Sequence, residues 1–218
     1  MKRYFILDKF NTWYNWRLIL TSKDVTPPEP KTNYVEIDGM DGTLDLSEAL
    51  TGNVAYKDRT ITAKFWTDEG SRTDRQKLLR EITTVLHGKK ITLIEPDDPD
   101  HYYNGRVKIK SQTNNLAYAE FTIEATCEPW RYAINEAVRY VEVAHGSPVD
   151  VVIRNNCVKT ICPDITVSGI VGITYNGTST TLTDGTYKIS DLKLSQGVNI
   201  VRVSGSGSVT FTYRESDL

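Results

Sequence analysis

Apolar and polar residues alternate with a period of two in several short runs of the first 130 or so residues, and each run predicts a β-strand with one buried face. Lys2–Leu7 and Trp16–Leu20 read as strands, with the polar tract Asp8–Asn15 as the turn between them. Tyr34-Val35-Glu36-Ile37 is a short alternating segment. Arg59–Trp66 alternates strictly, with Ile61, Ala63 and Phe65 on one side. Ile91–Ile94, Arg106–Lys110 and Leu116–Thr126 complete the set, the last ending in an inward row of Phe121, Ile123 and Ala125. One segment has helical spacing instead. Leu78, Leu79, Ile82, Val85 and Leu86 make a single apolar face, predicting a helix over Asp74–Leu86 that docks on a sheet. Thr73 as N-cap, with Gln76 three residues on, predicts a capping box, and Gly88 suits the helix end. Arg75, Lys77, Arg80 and Glu81 are expected off the apolar face.

The connections are read from the residues that interrupt the pattern. Pro27, Pro28 and Pro30 predict that Thr21–Asn33 is an extended loop, because proline lacks a backbone donor. Asp38–Gly42 carries turn chemistry. Thr43–Tyr56 has no clean period, and Glu95–Gly105, EPDDPDHYYNG, reads as a polar loop. These connections are too short for helical crossovers, so the sheets are expected to be antiparallel.

The composition changes after Glu128-Pro129-Trp130, and from about Arg139 onward helical spacing disappears and Thr, Ser, Gly and Val dominate. Seven short strands are predicted: Arg139–Val143, Val149–Arg154, Asp164–Val167, Ile170–Tyr175, Thr186–Ile189, Val198–Val203 and Val209–Tyr213. Asn176-Gly177, Asp184-Gly185, Gln196-Gly197 and Gly205-Ser206-Gly207 are read as turns between them. The result is a mainly β protein with one helix. Its expected domains are 1–134, a β-sandwich or barrel carrying the helix, and 135–218, a small β-sandwich.

Composition narrows the function classes. The chain has 218 residues, 25% charged and with formal net charge −2, which argues against a dedicated nucleic-acid binder. No apolar run approaches the roughly 20 residues of a membrane span. The opening MKRYFILDKF is too short in apolar residues for a signal-peptide core. Three cysteines, Cys127, Cys157 and Cys162, give no paired framework, so a reducing compartment is expected.

Candidate chemistry is sparse. His87, His101 and His145 lie far apart, and helix-end or turn positions account for His87 and His145. Asp97, Asp98, Asp100 and His101 offer donors for a cation, but a solvated loop explains them better. Asp38-Gly39-Met40-Asp41-Gly42 fails as a calcium loop because Met40 stands where an oxygen ligand is required. Cys157 and Cys162 have too few companions for a zinc site, and buried thiols are the better reading. There is no phosphate loop or nucleophile elbow, so no cofactor, metal or catalytic residue is expected. Trp13, Tyr14, Trp16, Tyr102, Tyr103, Trp130 and Tyr132 cluster near loops, which suits a carbohydrate site or a protein interface.

The order of several motifs resembles the distal tail proteins of siphophages, the phage tail-component family. The likeness is carried by Tyr34-Val35-Glu36-Ile37-Asp38-Gly39 with Gly42, Asp45-Leu46-Ser47, and Tyr56–Phe65 with Arg59 before its alternating strand. It continues in the helix with Gly88-Lys89, Tyr102-Tyr103-Asn104-Gly105-Arg106-Val107, Phe121-Thr122-Ile123 and Cys127-Glu128-Pro129-Trp130. Gly197-Val198-Asn199-Ile200 and Phe211-Thr212-Tyr213-Arg214-Glu215 extend it to the end. The resemblance implies a tail-tube-like N-terminal domain that builds a homo-hexameric ring, and a galectin-like C-terminal sandwich. It also implies a structural, non-enzymatic role at the virion tail tip, in a protein made in the host cytoplasm. Its partners would be the tail tube protein, tail-tip proteins and, in some members, receptor-binding proteins. DNA would cross the lumen without specific binding, and no membrane would be involved. A ring subunit needs an interface with its neighbour, and the excursion Thr43–Tyr56 supplies the candidates Thr43, Leu44, Asp45, Leu46, Leu50, Val54 and Tyr56. The alternative is a module that binds host surface glycans.

Overall fold

The computed structural model describes residues 4–49 and 52–218. The chain forms two compact units, one reaching Arg131 and one running from Tyr132 to Asp217. The elements of the first are β1 (Ile6–Leu7), β2 (Phe10–Asn11), α1 (Thr12–Trp16), β3 (Ile19–Val25), β4 (Tyr34–Glu36), β5 (Thr43–Asp45), β6 (Arg59–Thr67), α2 (Arg72–Leu86), β7 (Lys90–Glu95), β8 (Asp98–Asn114) and β9 (Ala119–Ala133), whose end enters the second unit. The second adds β10 (Ala137–Val143), β11 (Val149–Asn155), β12 (Asp164–Tyr175), β13 (Thr178–Leu182), β14 (Gly185–Lys188), β15 (Gly197–Tyr213) and β16 (Ser216–Asp217).

In the first unit the strands run in the order β2-β1-β7-β8-β9-β6-β3. The registered pairings are antiparallel, as expected from the short connections. The sheet curls strongly. Lys23 on the edge strand β3 pairs with Glu95 at the end of β7 and with Asp97 at 2.9 Å, although β8, β9 and β6 separate β3 from β7 in the sheet. Strict alternation built this curl's interior: Ile61, Ala63 and Phe65 of β6 are buried, as are Phe121, Ile123 and Ala125 of β9. The Phe65 ring stacks on Phe121 at 5.1 Å and meets Phe5 edge-on at 6.0 Å. α2 docks through Leu79, Ile82 and Leu86.

Several local expectations are corrected. Asp8–Asn15 is not a plain turn. It contains β2 and all but the last residue of the five-residue helix α1, which is capped by the Asn11 side chain and closed by Arg17 at φ 53°. Trp16 is buried and stacks on Phe10 at 5.0 Å, which explains why a polar tract is held in place. The predicted loop after Thr21 is β3 as far as Val25, because a bulge at Thr21 lets the strand continue past its broken pattern. α2 starts two residues early: the capping box is Ser71 with Asp74, not Thr73 with Gln76. Arg75 is buried rather than solvent-facing, with its guanidinium donating to the carbonyls of Gly70, Asn115 and Leu116. Most of Glu95–Gly105 is strand, since β7 and β8 are joined by a tight turn and Asn104 and Gly105 pair with Thr92 and Ile91.

In the second unit β12 and β15 are continuous where pairs of shorter strands were predicted. They pair from Asp164↔Thr212 to Thr174↔Arg202. β10 pairs with the later half of β15 and β11 with its earlier half, while β14 and β13 pair with the two halves of β12. β13 was not predicted, because Thr178–Leu182 is polar at nearly every position. Gly205-Ser206-Gly207 is not a turn. It pairs with Val171, Ile170 and Gly169 inside the ladder, and Gly169, Gly205 and Gly207 all have positive φ. A Cβ on Gly207 would overlap the Ser168 carbonyl oxygen, and one on Gly205 the Ile170 oxygen. The glycines let two long strands bend together, and both halves of the bent sheet feed one core around Ile165, Val171, Val203 and Phe211. Asn176-Gly177 is the hairpin turn expected of it, joining β12 to β13.

Candidate functional site

Between β3 and β6 the chain leaves the first unit's sheet as an arm. Its stem is two irregular stretches lying side by side: the Thr26 amide donates to Thr60, the Lys31 amide to Ala55 and the Lys57 amide to Glu29. The prolines of the outgoing stretch remove donors, which keeps the stem from becoming a regular ladder. Farther out, the amide of Leu46 donates to the Asn33 carbonyl, and the Asn33 amide donates to the Ser47 hydroxyl at 2.8 Å. The arm ends in the hairpin β4–β5, a two-stranded sheet of its own with the turn Asp38–Gly42 at its tip. Asp45 accepts from the Ser47 hydroxyl and amide, and these bonds hold its carboxyl below the usual range.

Every residue of the two arm strands is exposed. Val35 stands directly across from Leu44, so the two share a face, and Ile37 lies two residues on from Val35. Tyr34 is 58% exposed and Ile37 45%. Met40 at the tip is exposed as well. An isolated two-stranded ribbon is marginal in water. This one shows a row of partly exposed apolar side chains, Val35, Ile37 and Leu44, along one face.

The predicted interface residues separate on this arm. Thr43, Leu44 and Asp45 form β5 and are exposed, Leu46 is half-buried, and Val54 is exposed on the returning stem. Tyr56 lies at the root, edge-on to Trp130 at 5.7 Å, and Leu50 lies outside the described residues. Tyr34, Val35, Ile37 and Met40 were not among the predicted residues. Their signal was the alternation of Tyr34–Ile37, whose exposed side could not be known without its strand partner.

The root draws together motifs that are far apart in sequence. Arg59 is buried and its Nε donates to the Pro129 carbonyl at 2.9 Å. Its guanidinium lies over the Tyr103 ring at 5.2 Å, and burial lowers its pKa. Gly105 packs against Cys127, whose thiol burial pushes up to about 12. Arg59, Tyr103, Gly105, Cys127, Pro129 and Trp130 thus form one brace under the arm.

The remaining candidates have structural employment. Trp16 and Tyr103 are buried, not loop-exposed. Trp13 lies under Arg17 and Tyr132 under Lys159. Asp98 meets the His101 ring at 2.7 Å and the Arg131 guanidinium at 3.2 Å, and Asp97 pairs with Lys23, so these carboxylates have partners in their own unit. The His87 Nδ1 accepts from the Ile109 amide. Among the described residues no group of three or more His, Cys, Asp or Glu side chains is placed to hold a metal ion, and no helix is long and apolar enough to cross a membrane.

Comparison with known proteins gives three findings. A family model for the phage tail protein RIFT-related domain matches residues 16–127, just over half of the 218-residue chain. A comparison with curated protein sequences returned no match. The fold is similar to the crystal structure of the Dit protein of phage SPP1, described as a paradigm of the hub adsorption apparatus of phages that infect Gram-positive hosts. That similarity has a TM-score of 0.73 at 14% identity and covers 100% of both chains.

Proposed function

The chain belongs to the phage tail protein family with a RIFT-related domain, and on that premise we propose that it is a distal tail adaptor. Six copies close into a ring that joins the tail tube to the tail-tip and receptor-binding apparatus. The observation that carries this reading is the arm: a braced ribbon, apolar on one face, extended from the sheet, with every residue of its two strands exposed. A heterologous contact repeated around an axis covers such a ribbon once per subunit and closes a ring. The shared fold with SPP1 Dit over the whole chain supports the same place in the tail. On this reading the second unit is a galectin-like module that anchors tail-tip or receptor-binding proteins. DNA crosses the lumen unrecognised, and the protein is made in the host cytoplasm before it enters the virion tail.

Native mass spectrometry of the purified chain, with negative-stain imaging, tests the proposal. Six-fold particles with an open centre are expected. A chain that stays monomeric up to the highest concentration at which it is soluble would overturn it.

A further inference from the structure

α2 presents a basic groove on its solvent side. Arg72, Gln76 and Arg80 follow one another at successive turns, and Thr73 and Lys77 lie beside them. With Asn114 of β8 they line a shallow concave surface. Asn114 is spent on holding the groove's floor, donating to the Arg72 carbonyl at 3.0 Å and to Gln76 at 3.1 Å. The cations are not spent. Lys77 has only a long contact with Asp74, 3.9 Å, and the guanidiniums of Arg72 and Arg80 have no partner among the described residues. Among the described residues no carboxylate lines the groove.

The arm has the opposite character. From Tyr34 to Ala49 it carries Glu36, Asp38, Asp41, Asp45 and Glu48 and no Lys or Arg. All five are exposed, and only Asp45 is engaged, by Ser47. Glu36 and Asp45 lie on the ribbon face opposite Val35 and Leu44, while Asp38 and Asp41 sit at the tip. One chain therefore carries two complementary surfaces, an acidic projecting ribbon and an open cationic groove.

We propose that the groove of α2 receives the acidic face and tip of the arm of a second copy, with Arg72 and Arg80 as the recognising cations and Glu36 and Asp38 as their counterparts. The proposal rests on the ring reading and adds to it a contact made by the opposite, acidic face of the same ribbon. A contact between two different patches of one chain is the heterologous kind that closes rings. Exposed charge pairs also steer encounter and fix register, and they weaken with salt, since the screening length is about 8 Å at physiological ionic strength.

Charge exchange on the full-length chain is the test. Arg72→Glu with Arg80→Glu, and separately Glu36→Lys with Asp38→Lys, are each expected to move assembly to a protein concentration at least about tenfold higher, because like charges then face each other. Combining the two pairs is expected to restore assembly to near the wild-type concentration. Failure of the combined chain to recover, while the wild type forms rings, overturns this contact and leaves the ring reading standing. A wild type that is monomeric throughout overturns both. Should Arg72→Glu with Arg80→Glu assemble normally yet lose retention on duplex DNA, the groove binds phosphate and the proposal fails. If charge reversal unfolds the chain, Arg72→Gln with Arg80→Gln carries the test: weaker assembly with a shallower salt dependence supports the contact, and unchanged salt dependence refutes it.

Discussion

Gly105 and Cys127 meet across β8 and β9, and their packing can be measured directly. The backbone of Gly105 is not in the left-handed region, so Gly105→Ala carries no conformational penalty of that kind. The obstacle is space. A Cβ there would overlap the Cys127 Sγ, and it would lie 2.9 Å from the Thr126 carbonyl oxygen and 3.1 Å from the Cys127 Cα. Overpacking of this size costs about 1–3 kcal/mol, offset by about 0.4–1 kcal/mol from the stiffer unfolded chain. A net loss of about 1–2 kcal/mol is expected. Cys127→Ala alone removes one buried sulfur and should cost about 1 kcal/mol, at the low end for large-to-small core changes. In the double variant the new methyl occupies the space the sulfur left, so the combined loss should fall short of the sum by about 0.5–1.5 kcal/mol. Urea unfolding followed by tryptophan fluorescence is the assay. All four tryptophans, Trp13, Trp16, Trp66 and Trp130, lie in the first unit, so the signal reports that unit alone even when the second unfolds separately. Wild-type stability in Gly105→Ala, or additivity within about 0.3 kcal/mol, would refute the packing account of this pair.

Other outcomes follow from the same geometry. Gly207→Ala should open the bend of β12 and β15, read as lost amide protection at Ile165–Val171 with the first unit's fluorescence transition unchanged; retained protection would count against the bend. Ser71→Ala removes the capping box of α2 and should cost about 1 kcal/mol. Because Ser71 holds the Asp74 carboxyl below its ordinary value, the bond stabilises above the unfolded carboxyl pKa and is lost as pH falls through the lower folded value. The wild-type advantage over Ser71→Ala should therefore shrink on the acid side, and an advantage that grows there would contradict the sign. Thiol labelling at about pH 8 should reach the half-exposed Cys162 first, since burial raises the pKa of both Cys127 and Cys157; early labelling of Cys127 would show that the brace opens. Deleting Thr43–Gly52 should leave the second unit folded by circular dichroism and abolish assembly, whereas surviving rings would place the contact elsewhere.

Local pattern was enough for much of the architecture. Strict alternation in Arg59–Trp66 and at the end of Leu116–Thr126 marked inward rows that are buried, because a strand with one wet face must alternate. The apolar stripe of α2 was legible for the matching reason at helical period. Asn176-Gly177 was legible because few residues accept two successive positive φ angles. The order of motifs was legible too, and it pointed to the family whose model matches residues 16–127.

What only the tertiary structure decided are relations between distant residues. A glycine that bends a strand and a glycine that ends one look alike in sequence, so the partners of Gly205 and Gly207 across the ladder were needed to see β15 as continuous. Arg75 looks like a surface cation until the carbonyls of Asn115 and Leu116 are brought to it. Tyr103 and Arg59 look like a loop aromatic and a strand flank until they meet under Pro129. The arm follows the same rule. The composition of Tyr34–Asp45 was plain, but the exposure of its two strands depended on which distant residues the fold brings to them. Burial is a property of neighbours in space, and one stretch of chain carries no record of which distant side chains will come to lie against it.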